Sequence, residues 1–188
     1  MAVKFIDRNR KGEVSGDEIV VRCSCGCGFV TISVFQEQDY NTKEKLTILD
    51  ISHFGGNIID KKNSMAQEMI FVNPEFICAI GNLINCEVNN GNGVVEDESG
   101  HMLMIDHSED ENIGKTLCLA GFYDEKSFRK YMKNPQKGTK YLSWNIILEE
   151  KEMNKFTDVF NKLLQKEFCD EICKKDRAGS RNEEIQNN

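Results

Sequence analysis

Three runs of β-branched and aromatic residues follow one another early in the chain: "EIVVRC" from Glu18, "FVTISVFQ" from Phe29 and "LTILDISHF" from Leu46. Side chains of this kind fit a pleated, half-buried surface. The turn-prone segments between the runs are too short for a crossover helix, so the runs are expected to pair as an antiparallel meander. In the second run Val30, Ile32 and Val34 alternate with Phe29, Thr31, Ser33 and Phe35. The aliphatic set is the one expected to face a core.

Helical signals come next. In "NPEFICAIGNLIN" Asn73 can cap, Pro74 fits the first helical position and Glu75 complements the helix dipole, predicting a helix to about Asn85. Residues 65–70, just before it, read as an amphipathic turn. "VVEDESGHMLMID" predicts a hairpin turning near Ser99 and Gly100, and "KTLCLAGF" a further strand. "DEKSFRKYM" predicts a short helix that stops before Asn134 and Pro135, because the residue before proline disfavours helix. The continuous apolar stretch in "TKYLSWNIILEE" predicts a covered last strand. Met153, Phe156, Phe160, Leu163, Leu164 and Phe168 then trace helical spacing over residues 149–174.

The order of these elements predicts an α+β fold, a mostly antiparallel sheet with two main helices packed on one side. At 188 residues the chain is long enough for a proper core. One domain is expected over residues 1–175, with residues 176–188, nearly devoid of apolar side chains, as a disordered tail. Eighteen asparagines and three lysines for every arginine fit a coding sequence rich in A and T.

No stretch approaches 18 apolar residues, and the opening "MAVKFIDRNRKGE" has no apolar run behind its basic residues. The sequence therefore predicts neither a membrane span nor a signal peptide, and places the protein in the cytosol. There the eight cysteines are expected as thiols, metal ligands or transient redox groups. Cys78, Cys86 and Cys118 sit in apolar runs and read as buried small hydrophobes. Cys169 and Cys173 are one helical turn apart, with Phe168 and Ile172 beside them, and read as buried or half-exposed thiols.

"CSCGCG", residues 23–28, spaces three cysteines at every second position. Zinc knuckles and thioredoxin-type pairs both need C-x-x-C, which is absent here. Gly26 and Gly28 favour a bend at the tip of the first hairpin. If the second and third strands pair about the "QDYNTKEK" turn, with opposing residue numbers summing to about 81, His53 falls beside Gly28. Zinc held by Cys23, Cys25, Cys27 and His53 is the metal site this predicts; otherwise no cofactor is expected.

Charge is unevenly spread. Residues 94–125 hold nine acidic groups and one basic group, against a net −7 for the whole chain. Glu96, Asp97 and Glu98 cluster at the predicted hairpin turn, and Asp106, Glu109, Asp110 and Glu111 at the following loop. Such loops collect charge for solubility. As a surface, the same carboxylates offer fixed negative charge to a basic cleft that normally holds a phosphate backbone. The last four also have enough oxygens for a divalent cation, without the alternating acids and glycine of a calcium loop. Directly after comes "KSFRKYMKNPQKGTK", with Lys126, Arg129, Lys130, Lys133, Lys137 and Lys140 and no acid. Phe128 and Tyr131 are interleaved, a pattern suited to a nucleic-acid backbone or, more simply, to an amphipathic helix with a solvated outer side.

Phosphate-binding, dinucleotide-binding, zinc-protease and nucleophile-elbow motifs are all missing. Three histidines, His53, His101 and His107, leave little for acid–base catalysis. The last two lie six apart, on one face of an extended strand, with a carboxylate near each, the elements of a two-histidine, one-carboxylate metal site or of two surface histidines on a strand. No nucleophile, base and acid can be assembled, so a non-enzyme is expected.

"IVVRCSCGCGFVTISVF" followed by "LTILDIS" resembles the N-terminal hairpin of small uncharacterised phage and prophage proteins, over about 35 residues. That resemblance implies an accessory protein of a mobile element. It further implies action by binding and blocking a host protein, including nuclease effectors of the CRISPR kind. The acidic residues Glu96 to Glu111 are then the partner-binding set, and the basic residues Lys126 to Lys140 an alternative nucleic-acid-binding set.

Overall fold

Antiparallel pairing carries the chain through five successive strands: β1 (Lys4–Asp7), β2 (Asp17–Arg22), β3 (Gly28–Gln38), β4 (Lys45–Gly56) and β5 (Ser64–Phe71). The structure, a computed structural model, describes residues 4–7, 17–24, 26, 28–56, 64–85, 93–111 and 114–165. Helix α1 (Pro74–Asn85) follows, then a second meander of β6 (Gly93–Glu96), β7 (Met102–Asp110) and β8 (Gly114–Phe122). Helices α2 (Glu125–Lys133) and α3 (Pro135–Gly138) and a 3₁₀ turn (Thr139–Tyr141) lead into β9 (Trp144–Glu149). Helix α4 occupies residues 150–165. The predicted continuation of α4 to residue 174, the predicted tail, and Cys86, Cys169 and Cys173 lie outside the described residues.

The fold is α+β, with every described strand pair antiparallel. Instead of one sheet, however, the strands form two, of five and four strands in sequence order. At β5 the Ile70 amide donates to the Asp97 carboxylate, a side chain of the β6–β7 turn. Residues 65–70, expected as an amphipathic turn, are part of β5. Gln67, Met69 and Phe71 are buried and Glu68 between them is exposed, a period of two that only a strand satisfies.

Val30, Ile32 and Val34 face inward as the alternation predicted, and join Leu103, Ile105, Leu117 and Leu119 of the second sheet in one core. Helices α1 and α4 close the same core with Ile77, Ile80 and Ile84, and with Phe156, Phe160 and Leu163. Full burial of each such side chain contributes about 1.5–3 kcal/mol. A smaller cluster on the reverse face of the second sheet, Met104, Ala120, Phe122 and Leu142, is covered by Phe128 and Tyr131 of α2.

Polar ties also join the sheets. Gln67 Nε2 donates to the Phe122 carbonyl at 3.1 Å. Beyond β2, the Ser24 amide donates to the Asn145 carbonyl at 2.9 Å, and Ser24 Oγ accepts the Ile147 amide at 2.7 Å. The turn after β2 therefore occupies the free edge of β9, where an unpaired strand would otherwise present a template for aggregation.

Candidate functional site

The acidic segment is one stretch of sequence but two places in space. Strand β7 separates Glu96, Asp97 and Glu98 at one hairpin from Glu109 and Glu111 at the next, and its rise puts those tips about 27 Å apart. Asp97 is also not a surface group, because its side chain is 1% exposed. Its Oδ1 accepts the amides of Ser99 (2.9 Å) and His101 (2.7 Å), while Oδ2 accepts the Ile70 amide (3.3 Å) and lies 3.1 Å from His101 Nδ1. Asp97 thus buckles the β6–β7 turn and ties it to β5. It has no oxygen left to offer a partner.

Asp106 is half-buried and directly opposite Cys118. Glu96, Glu98, Glu109 and Glu111 are exposed; the side chain of Asp110 lies outside the described residues. Along β7, Asp106 and Glu109 point to opposite faces. Among the described residues no three His, Cys, Asp or Glu side chains gather as a metal group.

The histidines are separated too. Six residues of strand place His101 and His107 about 20 Å apart, beyond the reach of one ion. His101 is held by Asp97, whereas His107 Nε2 donates to the Leu83 carbonyl at 2.8 Å, satisfying an orphan acceptor in the last turn of α1.

In the cysteine turn, Cys23 is buried and its thiol donates to the Asn145 carbonyl at 3.0 Å, on the same edge of β9 that Ser24 covers. Cys25 and Cys27 lie outside the described residues. Strands β3 and β4 pair with residue numbers summing to 83, so Gly28 faces Gly55 and His53 faces Val30, two residues further along β3 than expected. The shift arises because the connecting loop is centred on Asn41 and Thr42, both of whose amides the Asp39 carboxylate accepts. A Cβ at Gly28 would overlap the Phe54 carbonyl, so this closely packed end of the hairpin admits glycine alone.

His53 is 1% exposed, between Val30 and Gln67 on the core side of the sheet. Burial holds its pKa below the ordinary 6.5. The unfolded chain therefore takes up a proton near pH 6.5 that the folded chain resists. The stability owed to neutral His53 is complete above that pH and lost as pH falls toward the depressed folded value. His53→Gln is expected to flatten the fall in stability on acidifying from about pH 7 to 5. Equal slopes for the two proteins in urea titrations would refute this.

The basic segment behaves oppositely to the acidic one. Asp124 caps α2 by accepting the Ser127 amide at 2.6 Å, and hydrogen bonds from Ser127 hold its carboxyl below the usual range. Phe128 and Tyr131 turn inward onto the Phe122 ring, at 5.4 and 5.3 Å between centroids. Asn134 ends α2 and caps α3, and Gly138 returns against the Tyr131 backbone, where a Cβ would come within 2.8 Å of Tyr131 Cα. This tight return folds the segment into one helical cap. Lys126, Arg129, Lys130, Lys133, Lys137 and Lys140 are all exposed on it.

Arg129 is paired with Glu125 at 2.6 Å, an exposed contact that water and salt screen. The Nζ atoms of Lys130 and Lys140 each lie 5.2 Å from the Tyr141 ring centroid. Tyr141 is the member of this arrangement that sequence reasoning missed, although "TKYL" carried a signal: an aromatic directly beside the last lysine of a basic run.

Cys118 packs in the cluster beneath this cap. Burial, and then the Asp106 charge, push its pKa up to about 12, so it stays protonated at neutral pH and is a poor nucleophile. Compared with protein families, with curated proteins and with solved structures, the chain matches none.

Proposed function

We propose that this protein acts by binding rather than by catalysis, and that its contact surface is the basic helical cap of α2, α3 and the following turn, engaging a polyanion such as a single-stranded nucleic-acid backbone. The observation that carries this reading is the gathering of six exposed cations on one cap, with Lys130 and Lys140 focused about Tyr141. Asp124 and Glu125 offset part of this charge at the start of α2, but the six cations outnumber them, and screening in physiological salt limits the reach of acids elsewhere on the chain of net charge −7 to about 8 Å. A cytosolic setting belongs to the same reading. Cys23, Cys78 and Cys118 carry thiols, and no described helix is long and apolar enough to cross a membrane.

A second reading keeps the phage-type accessory inhibitor, which would occupy the basic cleft of a host nuclease. It is favoured by the exposure of Glu109 and Glu111 at the β7–β8 tip and of Glu96 and Glu98 on a turn already rigidified by Asp97.

One experiment separates the two. Fluorescence anisotropy of a labelled single-stranded oligonucleotide should rise with protein at about 50 mM salt and fall steeply as salt increases. The double variant Lys130→Gln/Lys140→Gln should bind at least about tenfold more weakly, with a log–log salt slope shallower by about 1.4. No binding at low salt, or equal binding by the variant, refutes the cap. The inhibitor reading instead predicts protection of substrate from a nuclease, lost in Glu109→Lys/Glu111→Lys and kept in the cap variant.

A further inference from the structure

The five-stranded sheet buries one face in the core; on the other, Thr31, Ile48 and Ser52 are buried while Arg22, Phe29, Phe54 and Glu68 are exposed. On that outer face Phe29 and Phe54 sit directly opposite each other on β3 and β4. Their rings stack at 5.5 Å and 25°, and they remain 44% and 42% exposed. A single exposed phenylalanine is unremarkable in any fold; a stacked pair on adjacent central strands is a contiguous aromatic platform. Arg22 ends the same cross-strand row.

The next rows are acidic. Glu68 pairs with Ser52 and is therefore the diagonal neighbour of Phe54, about 7–8 Å away. One row further is Asp50, which accepts the Ser52 hydroxyl at 2.6 Å, with Glu18 in its row. Burial and then the charges of Glu68 and Glu18 push the Asp50 carboxyl above its usual range, against the Ser52 hydrogen bond. Glu68, Asp50 and Glu18 thus place three carboxylates in the second and third rows, where Lys4 pairs with Val20, and Arg22 ends the first row beside Phe29.

We propose that this face is a docking surface for a protein segment carrying arginine or lysine between apolar side chains. A guanidinium or ammonium group placed over the exposed Phe54 ring reaches the Glu68 carboxylate as well, so one cation gains both a cation–π and an ionic contact. Its apolar neighbours then cover the rest of the platform. A nucleic acid would find rings to stack on but carboxylates facing its phosphates, which argues against a polyanion here. This surface is independent of the basic cap, which lies on the reverse face of the other sheet.

The test is an NMR titration of the isotope-labelled full chain with a peptide of alternating arginine and leucine, and in parallel with a single-stranded oligonucleotide and with rising protein concentration alone. The peptide should shift the amide signals of Phe29, Phe54 and Glu68. It should bind Phe54→Ser and Glu68→Gln about fivefold more weakly or worse. Both side chains point to solvent, and dispersed spectra of the variants confirm that they fold. Absence of peptide-induced shifts at this face, or equal affinity for wild type and both variants, overturns the proposal. Shifts at this face from the oligonucleotide would assign it to nucleic acid instead, and shifts that grow with protein concentration alone would assign it to a second copy of the chain; either overturns it.

Discussion

Asp97→Ala is expected to destabilise the protein by about 2–4 kcal/mol, although this aspartate belongs to the most acidic stretch of the chain. Three amides, those of Ser99, His101 and Ile70, donate to its two oxygens, and the side chain is 1% exposed. Alanine leaves those donors without their acceptor in a place water does not easily reach. The loss is felt in both sheets, since Ile70 belongs to β5 and the turn belongs to β6 and β7. Asp97→Asn keeps an oxygen for Ser99 and His101 but turns a donor toward the Ile70 amide, and should cost about half as much. Glu96→Gln and Glu98→Gln, on exposed neighbours, should leave the urea midpoint unchanged. Trp144, the single tryptophan and fully buried, reports unfolding by fluorescence. A midpoint for Asp97→Ala equal to that of Glu98→Gln would show that the buckle has no energetic role. Charge reversal across the whole acidic segment would therefore unfold the turn, and any loss of partner capture would be misread as loss of a binding surface.

β-Branched enrichment was sufficient to find β2, β3 and β4, and in β3 the aliphatic positions recur at a period of two, so that their inward set is the observed core. Helix α1 was equally legible, from a cap, a proline and an apolar stripe in register. The division into two sheets was not, and contacts across it, such as that of the Ile70 amide with a side-chain acceptor 27 residues away, leave no local pattern. The register of β3 on β4 was missed by two residues for a related reason. Loop residues Asn41 and Thr42 suit several turns, and the hydrogen bonds of Asp39 select one.

Candidate sites divided along a physical line. A strand advances about 3.4 Å per residue and a helix about 1.5 Å, so charges adjacent in sequence are scattered by β7 and gathered by α2. The acidic run spans a strand and lost its unity; the basic run is helical, turns back at Asn134 and Gly138, and kept it. Cysteines at every second position suggested a shared purpose, yet Cys23 packs in the core and its turn serves the edge of β9.

The second large effect is expected at Phe160. It and Phe156 are fully buried, stack at 5.9 Å, and join the cluster formed by both sheets and α1. Phe160→Ala removes a ring from the place where four elements meet, leaving a cavity that extended strands and two helices cannot all close upon, at about 3–5 kcal/mol. Asn161, next in the chain, exchanges two amide hydrogen bonds of 2.7 Å with Asn85 of α1, both exposed. Water replaces those bonds readily, so Asn161→Ala should cost about 1 kcal/mol or less. Comparing the two variants separates packing from polar contact as the means by which α4 is held. A Phe160→Ala cost below that of Asn161→Ala would mean that α4 is not part of the core. The cap rests on a different cluster, on the reverse face of the second sheet, so the folded fraction of Phe160→Ala should bind the oligonucleotide with wild-type affinity and salt slope. Weaker binding per folded molecule would instead make the α4 core and the cap one cooperative unit, and the cap's positive surface a property of the whole fold rather than of α2, α3 and Tyr141.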